Sequence, residues 1–339
     1  MKILLGTFIA IFMIVTLQLA GLRMPKLILP IPTNSDAFID KVIPRLQKYP
    51  SIYKLKKDSS FMPQASASDD YEMASAYAVV DYESGKVLAS KNLTQKLPIA
   101  SLTKIMSAIV ALDLVKPSER FIVSEKAARI IPTKIGLQKG ELLTLDELLQ
   151  ATLLTSANDA VEVIREGIDK KYNDKVFIRA MNEKADFLGL KDTYFTNPQG
   201  FDADLHLSSV YDVSIMTHYA LENYPLIKEL VKDDYELLPA NEFHKRFDLY
   251  NWNGLIGVYP GLTGVKIGNT DNALKTTSVV AERNGKKLLA VLLGAPGIIE
   301  RDLWVSQILD LGYQKSLGIA GVDITEEQLL EKYQTWKYW

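Results

Sequence analysis

The chain has 339 residues, 47% hydrophobic and 24% charged, which allows roughly two globular domains and excludes a disordered chain, a collagen and a multi-span transporter. Lys and Arg number 39 against 41 Asp and Glu, so no basic surplus points to nucleic acid and no acidic block to a polyelectrolyte partner. The absence of cysteine removes thiol nucleophiles, Cys-based zinc sites and disulfides.

Residues 3–22 carry no charge, and a run of about twenty apolar residues is long enough for a helix to cross a ~30 Å hydrocarbon core. Its length and the poor cleavage site Gln18-Leu19-Ala20 favour an anchor over a cleaved signal. Residues 23–72 read as a Pro-rich tether, interrupted at Pro25, Pro30, Pro32, Pro44, Pro50 and Pro63, with one short helix at 35–43. Beyond it, strand-like runs at 76–82 and 86–90 flank Glu83-Ser84-Gly85 as a hairpin. An apolar helix is expected at 105–114, and Thr144-Leu145-Asp146-Glu147 is a capping box opening a helix to Leu154. Further helices are expected at 176–188 and 210–221, and a second hairpin turns at Arg283-Asn284-Gly285 between strands 276–282 and 287–293. An amphipathic helix at 301–313 closes the domain. Strands at both ends with helices between them make the class α+β, with a sheet assembled from distant segments.

Three short motifs carry chemistry. In Ser101-Leu102-Thr103-Lys104, a spacing of three places hydroxyl and amine one helical turn apart on one face. A serine hydroxyl needs a base, and a buried lysine serves when desolvation and neighbouring cations lower its pKa. The pattern alone is weak, since Ser51-Ile52-Tyr53-Lys54 in the tether also satisfies it. Downstream, Ser156-Ala157-Asn158 precedes a helical run and sets a hydroxyl and an amide toward one cleft. Last, Gly264-Val265-Lys266-Ile267-Gly268 reads as a strand edge presenting backbone groups and a lysine. Taken singly, each is more often a helix cap or a surface lysine; their order gives them weight.

In that order the motifs resemble those of the serine D-Ala-D-Ala carboxypeptidases, the low-molecular-mass penicillin-binding proteins: Ser-x-x-Lys, Ser-x-Asn and Lys-Thr-Gly. The likeness extends to Pro98-Ile99-Ala100-Ser101-Leu102-Thr103-Lys104-Ile105-Met106, Leu154-Thr155-Ser156-Ala157-Asn158-Asp159-Ala160, Met181-Asn182-Glu183-Lys184-Ala185, Phe195-Thr196-Asn197-Pro198-Gln199-Gly200-Phe201-Asp202 and Leu292-Leu293-Gly294-Ala295. It covers residues 73–318, the expected catalytic domain, and leaves 319–339 as a C-terminal tail, read as an ordinary terminal helix.

The resemblance implies a penicillin-binding-protein/β-lactamase-like transpeptidase fold, an antiparallel sheet with a helical subdomain. By the same resemblance Ser101 is the acylated nucleophile, Lys104 its base and Ser156 a proton shuttle. Asn158 and Lys266 bind substrate, and the backbone of Ser101 and of the strand at Gly268 and Asn269 forms the oxyanion hole. Arg301 resembles an arginine that assists carboxylate binding. The implied reaction removes the terminal D-Ala from peptidoglycan stem peptides without metal or other cofactor. β-Lactams are the implied covalent inhibitors, the implied location is the cytoplasmic membrane with the catalytic domain outside, and no nucleic acid is involved. One departure stands out: Ile267 occupies the Thr position of Lys-Thr-Gly, removing a hydroxyl and pointing to a weakened or altered enzyme.

Rival readings are a D,D-endopeptidase acting on cross-links and a non-catalytic cell-wall-binding scaffold. A metallopeptidase lacks support, since His206, His218 and His244 form no His-Glu-x-x-His pattern, and a class A β-lactamase would need a Glu-x-x-Leu-Asn string that is missing.

Overall fold

Residues 36–57, 69–173 and 175–336 are described in the computed structural model of the chain. The apolar run at 3–22, expected to be a membrane anchor or signal, lies outside the described residues, as do 23–35 and 58–68 of the tether. Among the described residues no helix is long and apolar enough to cross a membrane. The chain divides into two units, Met1–Ile39 and Asp40–Trp339. What is described of the first is the start of helix α1 (Asp36–Lys41).

The second unit opens with α2 (Ile43–Leu46) and the short strand β1 (Lys56–Lys57). Strands β2 (Ala76–Asp81) and β3 (Lys86–Lys91) form the first expected hairpin. The Asp81 carboxylate closes its turn by accepting hydrogen bonds from Ser84 N at 2.8 Å and Ser84 Oγ at 2.7 Å. Helix α3 (Thr103–Leu114) follows and is buried on nearly every side. A helix apolar all round belongs in a core rather than on a surface, and α3 is the central helix of the helical layer, packed against α2 and against helices later in the chain.

Next come β4 (Arg120–Ile122), α4 (Glu125–Ala128), β5 (Leu142–Thr144) and α5 (Leu145–Leu153). The capping box is present: Thr144 Oγ1 accepts from Glu147 N at 3.2 Å while Thr144 N donates to Glu147 Oε2 at 2.7 Å. Helices α6 (Asn158–Lys171), α7 (Phe177–Leu188), α8 (Val210–Asn223) and α9 (Pro225–Leu230) complete the layer. Strands β6 (Tyr235–Leu238) and β7 (Phe247–Tyr250) pair with each other, and the long strands β8 (Leu262–Thr270), β9 (Leu274–Arg283) and β10 (Lys286–Ala295) return to the sheet. Asn284 and Gly285, both at positive φ, form the two-residue turn between β9 and β10, a turn whose twist matches that of the strands it joins. The chain ends with α10 (Ile298–Leu317) and α11 (Glu326–Gln334).

The six-stranded sheet has the order β1-β3-β2-β10-β9-β8, antiparallel except where β1 runs parallel to β3. Alternation along the strands sends side chains to two faces. Val279, Ala281, Leu288, Ala290 and Leu292 join Trp304, Val305, Ile308 and Tyr313 of α10 in one core. Ser278 faces the other way and meets Thr217 of α8 at 2.9 Å. The sheet therefore lies between α10 and the helical layer, and β8 is an edge strand. In α11, Leu329 joins the α10-side core.

The short pairs β4–β5 and β6–β7 were not expected from the sequence; with three or four residues per strand they are too brief to show a period. Helix α10 is longer at both ends than the expected 301–313, starting after Gly297 and ending at the left-handed Gly318.

A buried ion pair ties the end of α3 to its neighbours. Lys184 Nζ lies 2.9 Å from Asp113 Oδ2, with both side chains almost wholly enclosed, and also donates to Tyr219 Oη at 2.8 Å. Tyr224 Oη donates to Asp113 Oδ1 at 2.8 Å. Burial pushes the Asp113 carboxyl up and the Lys184 amine down, and each charge opposes the other's shift. Asp113→Ala would strand the Lys184 charge and is expected to cost about 3–5 kcal/mol, read as a lower thermal midpoint; an unchanged midpoint would contradict that role.

Candidate active site

Ser101 sits in a 3-10 turn (Ala100–Leu102) that runs directly into α3, and the i, i+3 spacing brings Lys104 beneath it. Ser101 is partly exposed and Lys104 fully buried. Lys104 Nζ has three partners at 2.8 Å: Ser101 Oγ, Asn158 Oδ1 and the Gln199 carbonyl oxygen. The Asn158 amide is oriented by its Nδ2, which donates to the Ile131 carbonyl at 3.3 Å. Asn158 Oδ1 and the Gln199 carbonyl can only accept. As an ammonium Lys104 donates to all three; as a neutral amine it keeps two N–H groups for these two acceptors and turns its lone pair to the Ser101 hydroxyl. Burial, reinforced by the nearby Lys266 charge and opposed by Asp159, holds the Lys104 amine well below its ordinary range.

The turn between α5 and α6 carries Ser156, and Asn158 opens α6. Ser156 is buried with φ +61°, and Asn158 N donates to the Thr133 carbonyl at 2.7 Å. A left-handed serine costs about 1–3 kcal/mol and persists where its surroundings over-determine it. The Asp159 carboxylate accepts from the backbone N–H of Gly136 at 2.9 Å and Leu137 at 3.0 Å, fastening the 131–137 loop to the start of α6. A cleft of about 460 Å³, lined in part by Thr155, Tyr250, Trp252 and Lys245, adjoins this turn.

Edge strand β8 supplies the third side. Lys266 is registered opposite Ser278, Ile267 opposite Thr277 and Gly268 opposite Thr276. Cross-strand partners share a face, so Lys266 and Gly268 share the Ser278 face toward the helical layer and Ile267 takes the opposite one. Lys266 is buried, and enclosure together with the Arg301 charge pushes its amine down to about 7. A Cβ on Gly268 would lie 2.9 Å from Ser101 N and 2.4 Å from Thr276 Oγ1, so only glycine lets this strand approach Ser101. Asn269, at the exposed end, accepts from Lys275 Nζ at 2.7 Å.

Arg301 lies in the first turn of α10 and is fully enclosed. Its Nε and Nη2 form a fork with Asp302 at 2.7 and 2.8 Å, and Tyr333 Oη of α11 donates to Asp302 Oδ2 at 2.7 Å. Burial opposes the guanidinium charge, but the Asp302 carboxylate more than offsets this and raises Arg301 above its ordinary range.

The structure thus joins Ser101 and Asn158 through Lys104 and places Gly268 beside Ser101. Ser156 lies just before Asn158, while the Lys266 charge lowers the Lys104 amine and the Arg301 charge lowers Lys266. Sequence reasoning assigned no role to Gln199 or Gly200, although both fall within a segment that carries the resemblance; the Asn-Pro-x-Gly turn was the available signal. Among the described residues no group of three or more His, Asp or Glu side chains forms a metal site.

Comparison with known proteins adds ancestry to this geometry. The family model described as D-alanyl-D-alanine carboxypeptidase matches residues 63–297. The chain is 34% identical over 268 residues to D-alanyl-D-alanine carboxypeptidase DacF of Bacillus subtilis, covering 76% of this chain and 68% of that one. It is 27% identical over 238 residues to DacB2 of Mycobacterium tuberculosis, covering 70% and 80% respectively. Among solved structures, the Streptomyces K15 DD-transpeptidase superposes with a TM-score of 0.66 at 24% identity, covering 71% of this chain and 97% of that one, a likeness of fold. Penicillin-binding protein D2 from Listeria monocytogenes, in its ampicillin-bound form, gives a TM-score of 0.60 at 26% identity over the same shares.

Proposed function

This chain belongs to the D-alanyl-D-alanine carboxypeptidase family, and from that membership we propose that it removes the terminal D-alanine of peptidoglycan stem peptides by acyl transfer through Ser101. The observation that carries the residue assignment is the fully buried Lys104 amine, 2.8 Å from Ser101 Oγ.

In this reading Ser101 attacks the carbonyl between the two D-alanines as its proton passes to Lys104. The developing oxyanion accepts hydrogen bonds from Ser101 N–H and from a β8 backbone N–H near Asn269. Ser156 relays a proton to the departing D-alanine amine, and water then hydrolyses the ester. Asn158 orients Lys104 and binds the peptide. Lys266, supported by Arg301, draws the substrate carboxylate toward the strand. β-Lactams acylate the same serine. Residues 3–22 anchor the chain in the cytoplasmic membrane and residues 73–318 do the chemistry outside it; the uncharged apolar run and an extracytoplasmic substrate support this placement, whereas residues 43–57, expected to be part of an extended tether, pack onto the catalytic part through α2 and β1.

The test uses the wild-type protein. Incubation with benzylpenicillin followed by intact-mass measurement and peptide mapping should show one drug mass on Ser101, and a stem pentapeptide ending in D-Ala-D-Ala should release one D-alanine. Failure of both, or an adduct on another residue, would overturn the assignment.

Ile267 gives a second expectation. Its aliphatic side chain, beside Lys266 on edge strand β8, offers no donor where the family motif carries a hydroxyl. A hydrogen bond to a carboxylate is worth about 1.5–3 kcal/mol, roughly ten- to a hundredfold in rate or affinity. Ile267→Thr is therefore expected to raise the acylation rate by about that factor; no gain would show that a hydroxyl at 267 does not reach the substrate.

A further inference from the structure

A chain of directional hydrogen bonds runs from a surface loop to the peptide plane of the nucleophile. Thr196 N–H donates to His206 Nδ1 at 3.1 Å. The acceptor role leaves Nδ1 bare, so the ring proton sits on Nε2. His206 Nε2 lies 2.7 Å from Thr103 Oγ1, and the Thr103 hydroxyl donates to the Ala100 carbonyl at 2.8 Å. With its proton committed to Ala100, Thr103 Oγ1 receives the Nε2–H. Burial, aided by the Lys104 charge and opposed by Asp202, pushes His206 down to about 4, so the ring stays neutral under ordinary conditions.

The end of this chain is what gives it meaning. The Ala100 carbonyl and the Ser101 N–H belong to one planar peptide unit and point in opposite directions, so gripping the oxygen aims the N–H. Ala100 has φ +48°, a backbone state that does not hold itself in place. The neighbouring Ile99 carbonyl is gripped from the sheet side by Thr276 Oγ1 at 3.1 Å. The approach to Ser101 N is kept open from two directions, since a Cβ on Gly200 or on Gly268 would lie 2.9 Å from that nitrogen.

We propose that His206 is a positioning residue that acts through Thr103 to aim the Ser101 N–H into the oxyanion hole. The catalytic consequence rests on the acyl-transfer reading above, whereas the geometric consequence does not. The competing view is that His206 only secures the 196–206 loop.

Three variants separate these roles. His206→Gln keeps a donor near Nε2 and loses the acceptor for Thr196. His206→Asn keeps the acceptor near Nδ1 and loses the donor to Thr103. Thr103→Val keeps the shape and removes the hydroxyl. His206→Asn and Thr103→Val are expected to lower kcat for D-alanine release, and the rate of benzylpenicillin acylation, about ten- to a hundredfold at unchanged KM, with His206→Gln staying within about threefold of wild type. The Ser101 amide resonance in a 15N–1H spectrum, which needs no activity, should move in the first two and stay in place in His206→Gln. If His206→Asn retains rate and amide shift while His206→Gln loses them, the loop-securing view is correct and the proposal fails. If His206→Asn does not fold, a Thr103→Val variant with wild-type rate and amide shift overturns it equally. Amide shifts that follow the expected pattern in a protein that neither releases D-alanine nor forms an adduct would uphold the geometry and overturn the acyl-transfer reading instead.

Discussion

Ser101→Ala is expected to form no penicillin adduct and to lower D-alanine release by at least about 10⁴-fold, with its thermal midpoint unchanged. The loss should be near total because, among the described residues, the other hydrogen-bond partners of the Lys104 amine are the Asn158 amide oxygen and the Gln199 carbonyl, neither of them a nucleophile. Stability should be spared, since the change removes one atom from a partly exposed side chain. A stable adduct on Ser101→Ala would move the nucleophile elsewhere, with Ser156, on the adjoining turn, the first place to look.

Lys104→Met keeps the bulk of the side chain and removes the amine. Loss of a general base costs about 10²–10⁴-fold, so acylation should slow by that much while Ser101 can still be labelled at long times. The pH profile carries a second signature. Lys104 must be neutral to accept the proton, so the wild-type rate should rise with pH as the amine, already held low by burial, loses its proton. Lys266 must be charged to attract a carboxylate, so the rate should fall as pH climbs past the neighbourhood of its pKa, about 7. The two amines interact, and the limbs belong to the pair. In Lys266→Gln the alkaline fall should disappear. The acid limb should move to higher pH, because the cation that helped lower Lys104 is gone. A Lys104→Met variant with wild-type rate, or an acid limb that stays put in Lys266→Gln, would remove Lys104 from the base role.

What the sequence conveyed follows the reach of each interaction. Ser101 and Lys104 are one turn apart on a helix, so their meeting is written in a four-residue string. Asn158 joins them from a distant segment, and only the motif order pointed to it. Gln199 was silent for a different reason: it acts on Lys104 through its backbone carbonyl, which every residue type possesses. The Arg301 clamp draws on Asp302 beside it and Tyr333 near the other end of the molecule, and nothing at residue 301 foretells the tyrosine. Helix α3 read as an apolar helical run at 105–114, while its burial on nearly all sides becomes visible only with the helices that surround it. The face of Ile267 was legible in principle from alternation along β8, once the register with β9 was known.

The strand order of the sheet bears on how such a chain is made. Strand β2, from Ala76 to Asp81, has β10, from Lys286 to Ala295, as its inner neighbour. During synthesis the first hairpin therefore waits, with one edge open, while the whole helical layer emerges, and the sheet closes only when nearly the full length is available. Pairings this remote in sequence fold slowly. The surroundings of Ser101, which include Gly268 of β8, are therefore complete only when the last strands have joined the sheet.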